Sequence, residues 1–551
     1  MNTEKEINNS PSTIRMPIII SLALAGGILI GANFFGTSGR SDVGKGFAKY
    51  KEVLQLVDNN YVDTVNTDEL VDYSITKMLE KLDPHTTYFP LKEADAARSQ
   101  LANGYDGIGV EFNLYKDTVQ VVSAISGGPS EAAGVLSGDK IIRVNGEDFT
   151  GKKMDNGYIF SKLRGPRGSE VKIEVLRKNA SKLIAFSFKR DRIPTFSIDA
   201  TYLINNEIGY VKVTRFAEST FEEFKNALIS LKKQGMKKLI VDLRGNPGGY
   251  MDRATNMVDQ LLSGDKMIVY TKGKDIRYNR ETRAGVDGNF EDGGVIVLID
   301  EGSASASEIM AGALQDHDRA LIVGRRSFGK GLVQMPVNLA DGSELRLTIS
   351  RYFTPSGRSI QKPYEHGNME GYESDLKKRV DGGELFNADS IKNNLKLKYK
   401  TDAGRIVYGG GGITPDVFVG RDTSMMTNYL YQLFGASILR EYALQYVSKN
   451  KAELEKMTFQ TYVKNFTVSE VDMQNILAEA ASAKVVYNDK EYKRSKGYIQ
   501  SLVKSYIARY AFQKRNNDGL NNEYYQIMST YDNVLAKALT LFDKAQALGK
   551  K

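Results

Sequence analysis

No cysteine occurs in the 551 residues. This excludes disulfides, thiol catalysis, cysteine-ligated zinc and a lipid-modified N-terminal cysteine, and it leaves the redox compartment undetermined. Histidine is scarce: His85, His317 and His366 are the only three. That leaves little for a histidine metal site or a Ser-His-Asp triad. Chemistry here is expected to work without histidine, and His85 and His317 read as structural. No block of basic residues stands out. Lys and Arg total 75 against 67 Asp and Glu, a net charge of +8 spread along the chain, which argues only weakly for a polyanionic partner. With 41% apolar and 26% charged residues, the composition excludes a polytopic membrane protein.

One long apolar run is present. From Pro17 to Phe35 the chain carries no charge, and Lys5 and Arg15 precede it. At ~1.5 Å per residue, a helix of that length spans a hydrocarbon core of ~30 Å. The basic residues ahead of it place the N-terminus on the cytoplasmic side of an inner membrane and everything after Arg40 outside, in the periplasm. A cleaved signal peptide is the competing reading, although no A-x-A site follows. On either reading the working part is extracytoplasmic.

Beyond this segment (residues 1–40), residues 41–103 read as helical, with Phe47, Tyr50, Val53, Leu54 and Val57 at i, i+3, i+4 spacing. A second helix is predicted from Thr67, with Asp68 and Glu69 in its first turn, ending by Asp83-Pro84. Residues 104–189 switch to short strands (Val110–Leu114, Thr118–Ile125, Lys140–Val144, Val171–Arg177) divided by Gly and Pro turns. From Ile208, strands and amphipathic helices alternate, which predicts a mainly parallel sheet within residues 190–426. Residues 365–405 are polar and read as an insertion. Residues 427–551 are helical, and Ile527, Met528, Tyr531, Val534, Leu535, Ala538, Leu539 and Phe542 share one stripe, predicting a helix packed on its own domain or, alternatively, an oligomer interface.

Two clusters carry chemistry. Gly104-Tyr-Asp-Gly107-Ile108-Gly109-Val110 enters a strand through alternating glycines, whose N–H groups can converge on an anion, while the strand offers an edge to an extended peptide. In the alternating region, Asp242-Leu-Arg244-Gly-Asn246-Pro-Gly248-Gly249 is a strand ending in a glycine turn before a helix, where amides stabilise developing negative charge. Ser303-Ala-Ser305-Ala306-Ser307-Glu308 runs from a buried strand into a helix, which exposes a serine hydroxyl. Gly329-Lys330-Gly331 places a lysine between glycines. A serine needs an adjacent base for acyl transfer, and with histidine scarce a lysine serves if burial holds it neutral. Ser303, Ser305 and Ser307 all remain candidates on this reading. Asp242 and Arg244 read as a fold-stabilising pair, and Glu308 as a contact for helix-start amides or nearby loops.

The run Gly128-Pro-Ser-Glu131-Ala-Ala-Gly134 through Gly138-Asp-Lys-Ile141 to Val144-Asn-Gly146 resembles the PDZ signature. DLRGNPGG, SASASE and FGKGLVQ in this order, with Leu82-Asp-Pro-His-Thr-Thr-Tyr-Phe before them and Tyr352-Phe-Thr-Pro-Ser-Gly-Arg-Ser-Ile-Gln361 and Gly412-Ile-Thr-Pro-Asp416 after, resemble the C-terminal processing peptidases of serine family S41. The likeness covers about residues 45–420. It implies a PDZ β-domain and a crotonase-like β/α protease core; together with the apolar run and the helical segments read above, the expectation is an α/β multidomain protein with an N-terminal membrane helix, a helical N-terminal region, the PDZ β-domain, the protease core and a helical C-terminal domain. It further implies Ser305 as nucleophile, Lys330 as general base, Gln334 orienting the lysine, and an oxyanion hole from the amides of Ala306 and Gly248. Ile108, Gly109 and Val110 would hold a substrate's C-terminal carboxylate, and Arg164 would couple the PDZ domain to the protease. No metal or cofactor is implied. Two other readings are a non-catalytic peptide-binding scaffold, which an intact Ser305, Lys330 and Gln334 disfavours, and a crotonase-type acyl-CoA enzyme, which the export segment and the PDZ module disfavour. The C-terminal helices are open to dimerisation, substrate gating or adaptor docking.

Overall fold

The computed structural model describes residues 43–548, apart from 100, 101, 103, 116, 126, 127, 137, 152, 153, 178, 179, 286 and 517–519. The apolar run Pro17–Phe35 lies outside the described residues. Among those described, no helix is long and apolar enough to cross a membrane. The chain divides into two units, Met1–Lys77 and Met78–Lys551. In the first, helix α1 (Val43–Asn60) and the start of α2 (Thr67–Leu79) meet through a hydrogen bond between Tyr50 and Ser74. No residue of α1 is buried, so its apolar stripe gives the helical period without covering a core.

After the short strands Thr87–Phe89 and Tyr105–Gly107, the second unit forms a sheet whose main path is five antiparallel strands, β1 (Val110–Tyr115), β2 (Thr118–Ala124), β3 (Lys140–Val144), β4 (Glu170–Leu176) and β5 (Ile184–Lys189), paired in chain order. The alternation Val171, Ile173, Val175 turns one face of β4 inward, against Ile141, Val144 and Ile159. Ile159 comes from helix α3 (Asn156–Leu163), capped by the Asp155 carboxylate accepting from the Tyr158 N–H at 2.7 Å. Strand β1 is an edge, with one side of its backbone unpaired by the sheet.

The central sheet follows the order β6 (Ile198–Leu203), β7 (Ile208–Val213), β8 (Lys238–Asp242), β9 (Gly294–Ile299), β10 (Ala320–Gly324), β13 (Val417–Phe418), parallel except for β6 against β7. Strands β11 (Leu332–Asn338) and β12 (Glu344–Phe353) belong to a second, antiparallel sheet with Thr87–Phe89, Met267–Gly273 and Arg280–Arg283. Strand β9, Gly-Val-Ile-Val-Leu-Ile, is buried along its whole length because both faces of the central sheet are covered. On one face Leu239, Val241, Val295 and Val297 meet α4 (Thr220–Lys233), α5 (Met251–Asp259) and α6 (Ala306–Asp316). The alternation of strands and helices expected from Ile208 onward is present, since periodicity and glycine punctuation agree there.

The C-terminal helices serve two bodies. Helices α7 (Asn428–Gly435), α8 (Ile438–Lys449), α9 (Glu470–Ser482) and α10 (Asp489–Asn516) enclose a core of their own, including Leu430, Leu439, Ile476, Ile499 and Val503. The stripe from Ile527 to Phe542 is not one helix. It is divided among α11 (Asn522–Met528), α12 (Asn533–Leu539) and α13 (Phe542–Leu548). Asp532 makes the break by capping α12, accepting from the Leu535 N–H at 2.9 Å. Val534, Leu535, Ala538, Phe542 and Ala545 then pack on Ile240, Ile296, Leu298, Leu321 and Val323, the other face of the central sheet.

A buried ion pair ties α6 to the segment after β12. Arg358, 0% exposed, donates to Asp316 Oδ1 and Gln315 Oε1, each at 2.7 Å, while Asp316 also accepts from Thr354 Oγ1 and the Ser356 N–H. Arg358→Met would strand the carboxylate. We expect it to cost about 3–5 kcal/mol, read as a shift of the urea unfolding curve.

Candidate active site

Ser305 stands at the junction of β9's loop with α6, at φ 54° and ψ −114°. Few non-glycine residues hold such a conformation, which costs of order 1–3 kcal/mol. Its neighbours are chemically spoken for: Ser303 donates to Leu243 O at 2.8 Å and Ser307 to Asn246 O at 3.0 Å, and both are fully buried. Of the three serines, only Ser305 is partly exposed.

The Asp242–Gly249 turn lies against this junction. A Cβ on Gly248, whose φ is +102°, would fall 2.7 Å from Ser305 Cβ and 3.0 Å from the Ala306 nitrogen. The Gly248 N–H, expected to face an oxyanion, donates instead to Asn246 Oδ1 at 2.9 Å. Asn246 is fully buried and turned back on its own loop by a bond from Nδ2 to Val213 O at 3.1 Å. Among the described residues, the Gly249 and Ala306 N–H groups donate to no protein acceptor. Asp242 does pair with Arg244, at 2.5 Å, and with Lys212 at 3.1 Å. Although burial opposes it, these cations hold the Asp242 carboxyl below its usual range. Arg244 continues to Asp532 at 2.6 Å, joining the turn to the start of α12.

Lys330 Nζ donates to Gln334 Oε1 at 2.9 Å, and no hydrogen bond joins it directly to Ser305. Burial lowers its pKa from the ordinary 10.5, with the Asp83 and Glu308 carboxylates opposing. Gln334 sits at a bulge in β11 and donates its Nε2 hydrogen to His85 O. The turn carrying His85 is fixed by Asp83, which accepts from the His85 N–H at 2.8 Å, the Thr86 N–H at 2.9 Å and Thr86 Oγ1 at 2.6 Å. Burial, with Lys330 nearby, pushes the His85 imidazole down to about 4, so the ring is neutral at ordinary pH. The role of His85 is structural, as expected, but it reaches the site: its backbone carbonyl anchors the glutamine that holds the lysine, and the only sequence signal of this is the Asp-Pro-His-Thr run itself.

At the β1 edge, Gly109 has φ +72°, and a Cβ there would meet Ile193 Cδ1 at 2.8 Å. Ile108 is buried, and Val110 begins β1. Phe112 of β1 and Phe160 of α3 meet edge-on, at 6.0 Å between ring centroids. The Arg164 guanidinium stacks on Phe160 at 4.2 Å and Tyr105 at 4.3 Å and donates to Ser99 Oγ at 3.2 Å. Arg509 of α10 reaches both oxygens of Glu111 on β1.

Family models match three parts of the chain: peptidase family S41 at residues 207–375, the PDZ domain at 107–187, and a family of unknown function (DUF8443) at 429–513. A carboxy-terminal-processing protease of Bartonella bacilliformis is 33% identical over 62% of this chain and 79% of its own. The chain belongs to the C-terminal processing peptidases. Carboxy-terminal processing proteases CtpB and CtpA of Bacillus subtilis are 34% and 30% identical, covering 58% and 69% of this chain and 67% and 81% of their own. This C-terminal processing peptidase is therefore a serine peptidase with a peptide-binding PDZ domain in a multidomain α/β fold.

Proposed function

We propose that this chain is an extracytoplasmic endopeptidase that engages a protein's C-terminus with Ile108, Gly109 and Val110 and cleaves nearby by a Ser-Lys mechanism. Ser305 attacks the scissile carbonyl, and Lys330 takes its proton and returns it to the leaving amine; water then releases the acyl-enzyme. Gln334 orients the lysine. The amide of Ala306, with one from the Gly248–Gly249 turn, receives the oxyanion. For Gly248 to serve, its N–H leaves Asn246 or is shared with it. Arg164, stacked between Phe160 and Tyr105, is the proposed coupler between the PDZ groove and the protease. The run Pro17–Phe35 would hold the enzyme at the membrane.

The observation that carries this reading is the pairing of a strained, partly exposed serine at a helix start with a lysine whose charge is disfavoured by burial. The peptide-binding half is tested with one unfolded substrate made with a free or an amidated C-terminus. Charge-assisted hydrogen bonds to the carboxylate predict a kcat/KM about 10-fold or more lower for the amide. Equal rates would remove carboxylate recognition from the mechanism.

A further inference from the structure

Ser305 and Lys330 come from different elements, and two buried side chains grip the backbone of both. Glu308 Oε2 accepts from the Ser305 N–H at 2.9 Å and the Lys330 N–H at 2.8 Å. Its Oε1 accepts from the Gly329 N–H at 2.7 Å and from Ser327 Oγ. Ser327 Oγ in turn accepts from the Ile413 N–H at 2.6 Å, so its own proton is directed to Glu308. All four groups around the Glu308 carboxyl are donors, and all four are met by the carboxylate form.

On the acceptor side stands Tyr352 of β12, which is 1% exposed. Its hydroxyl lies 2.6 Å from Lys330 O and 3.1 Å from Ser305 O. Ser305 O also takes the N–H groups of Glu308 and Ile309, whereas Lys330 O depends on the tyrosine among the described residues. Burial raises the phenol's pKa well above its ordinary value, so it remains a proton donor across the working range.

We propose that Tyr352 and Glu308 are positioning residues that act as one clamp, fixing the approach of the Ser305 hydroxyl to the Lys330 amine. From a common pair of side chains the clamp holds the N–H of each residue and shares one phenolic proton between the two carbonyls, chiefly that of Lys330. It also over-determines the unfavourable φ of Ser305, which local geometry alone would relax. The inference rests on Ser305 and Lys330 being the reacting pair.

The test uses the full chain as Tyr352→Phe, Glu308→Gln and the double variant, with Ser305→Ala in parallel. Active sites are counted by labelling to saturation with a fluorophosphonate. Tyr352→Phe keeps the packed ring and removes one hydroxyl. It is expected to lower kcat per labelled site about 10–100-fold, because small displacements of reacting groups have effects of that size, with KM within about twofold. Members of one clamp are not independent, so the double variant is expected within about threefold of the worse single. A Tyr352→Phe enzyme with kcat per labelled site within about twofold of wild type overturns the proposal, whatever its melting temperature. Multiplying effects in the double variant overturn the single-clamp reading as well. Failure of the underlying Ser-Lys assignment has a different signature: Ser305→Ala would cleave as wild type does.

Discussion

Lys330→Met is expected to abolish cleavage and, at the same time, to raise thermal stability at neutral pH. The activity term is the larger. Losing one member of a nucleophile–base pair costs about 10³-fold or more in kcat, because the remaining groups cannot take the serine's proton. The stability term has the opposite sign. The folded pKa of Lys330 lies below the ordinary 10.5 because burial disfavours the ammonium. Below the folded value, the native state carries a poorly solvated charge that the unfolded chain hydrates freely. Between the two values the unfolded chain binds a proton that the folded one has released, so wild-type stability rises with pH across that window. Methionine removes the charge while keeping most of the volume. A melting temperature roughly 1–3 °C above wild type at pH 7 is expected, with the gap closing as pH nears 10. Wild-type cleavage should rise over the same window as the neutral amine is populated. A variant that melts below wild type at pH 7 would show that the bond to Gln334 outweighs the desolvation of the amine.

Gly248→Ala is expected to be nearly as damaging, for steric reasons. Its new methyl would lie 2.7 Å from Ser305 Cβ and 2.8 Å from Ala304 O, at a φ of +102° that side chains rarely adopt. The turn and the Ser305 junction would have to separate, and on the proposed mechanism the displaced amide would no longer meet a developing oxyanion. Loss of one such donor costs about 10²–10³-fold in kcat. Gly245→Ala is the control within the same turn. Its φ is +67° and nothing lies within 4 Å of the added carbon, so it carries about 1–2 kcal/mol of backbone strain without the clash. Cleavage within severalfold of wild type is expected there. Equal loss of activity in both variants would show that turn conformation matters and contact with Ser305 does not.

How much of this was legible in the sequence depends on whether the cause was local. The strand–helix alternation from Ile208 onward was readable because β8 and β9 are apolar on both faces and Gly turns mark their ends. Ser305 was singled out by resemblance, not by periodicity; the structure adds that Ser303 and Ser307 spend their hydroxyls on carbonyls. Tyr352, His85 and Asn246 were not legible as partners of the site. Tyr352 reaches backbone carbonyls with its hydroxyl, His85 offers its own carbonyl and Asn246 its side-chain amide, all brought close by tertiary folding, and no residue spacing announces that. The stripe from Ile527 to Phe542 was read with the right faces and the wrong continuity. Ile527, Val534, Leu535, Ala538 and Phe542 do turn inward while Tyr531 is exposed, but Asp532 interrupts the helix, its carboxylate accepting from the Leu535 N–H and from Arg244. The stripe of α1 shows the converse: a helical period was present, yet no core covers it.

The return of α12 and α13 to the central sheet has a consequence for biosynthesis. Ile240, Ile296, Leu298 and Val323 emerge from the ribosome some two hundred residues or more before the Val534–Ala545 segment that shields them. Until that segment is made, one side of the nascent sheet is bare hydrocarbon and Arg244 lacks its Asp532 partner. The order of synthesis thus leaves that face of the sheet uncovered until α12 and α13 have been made.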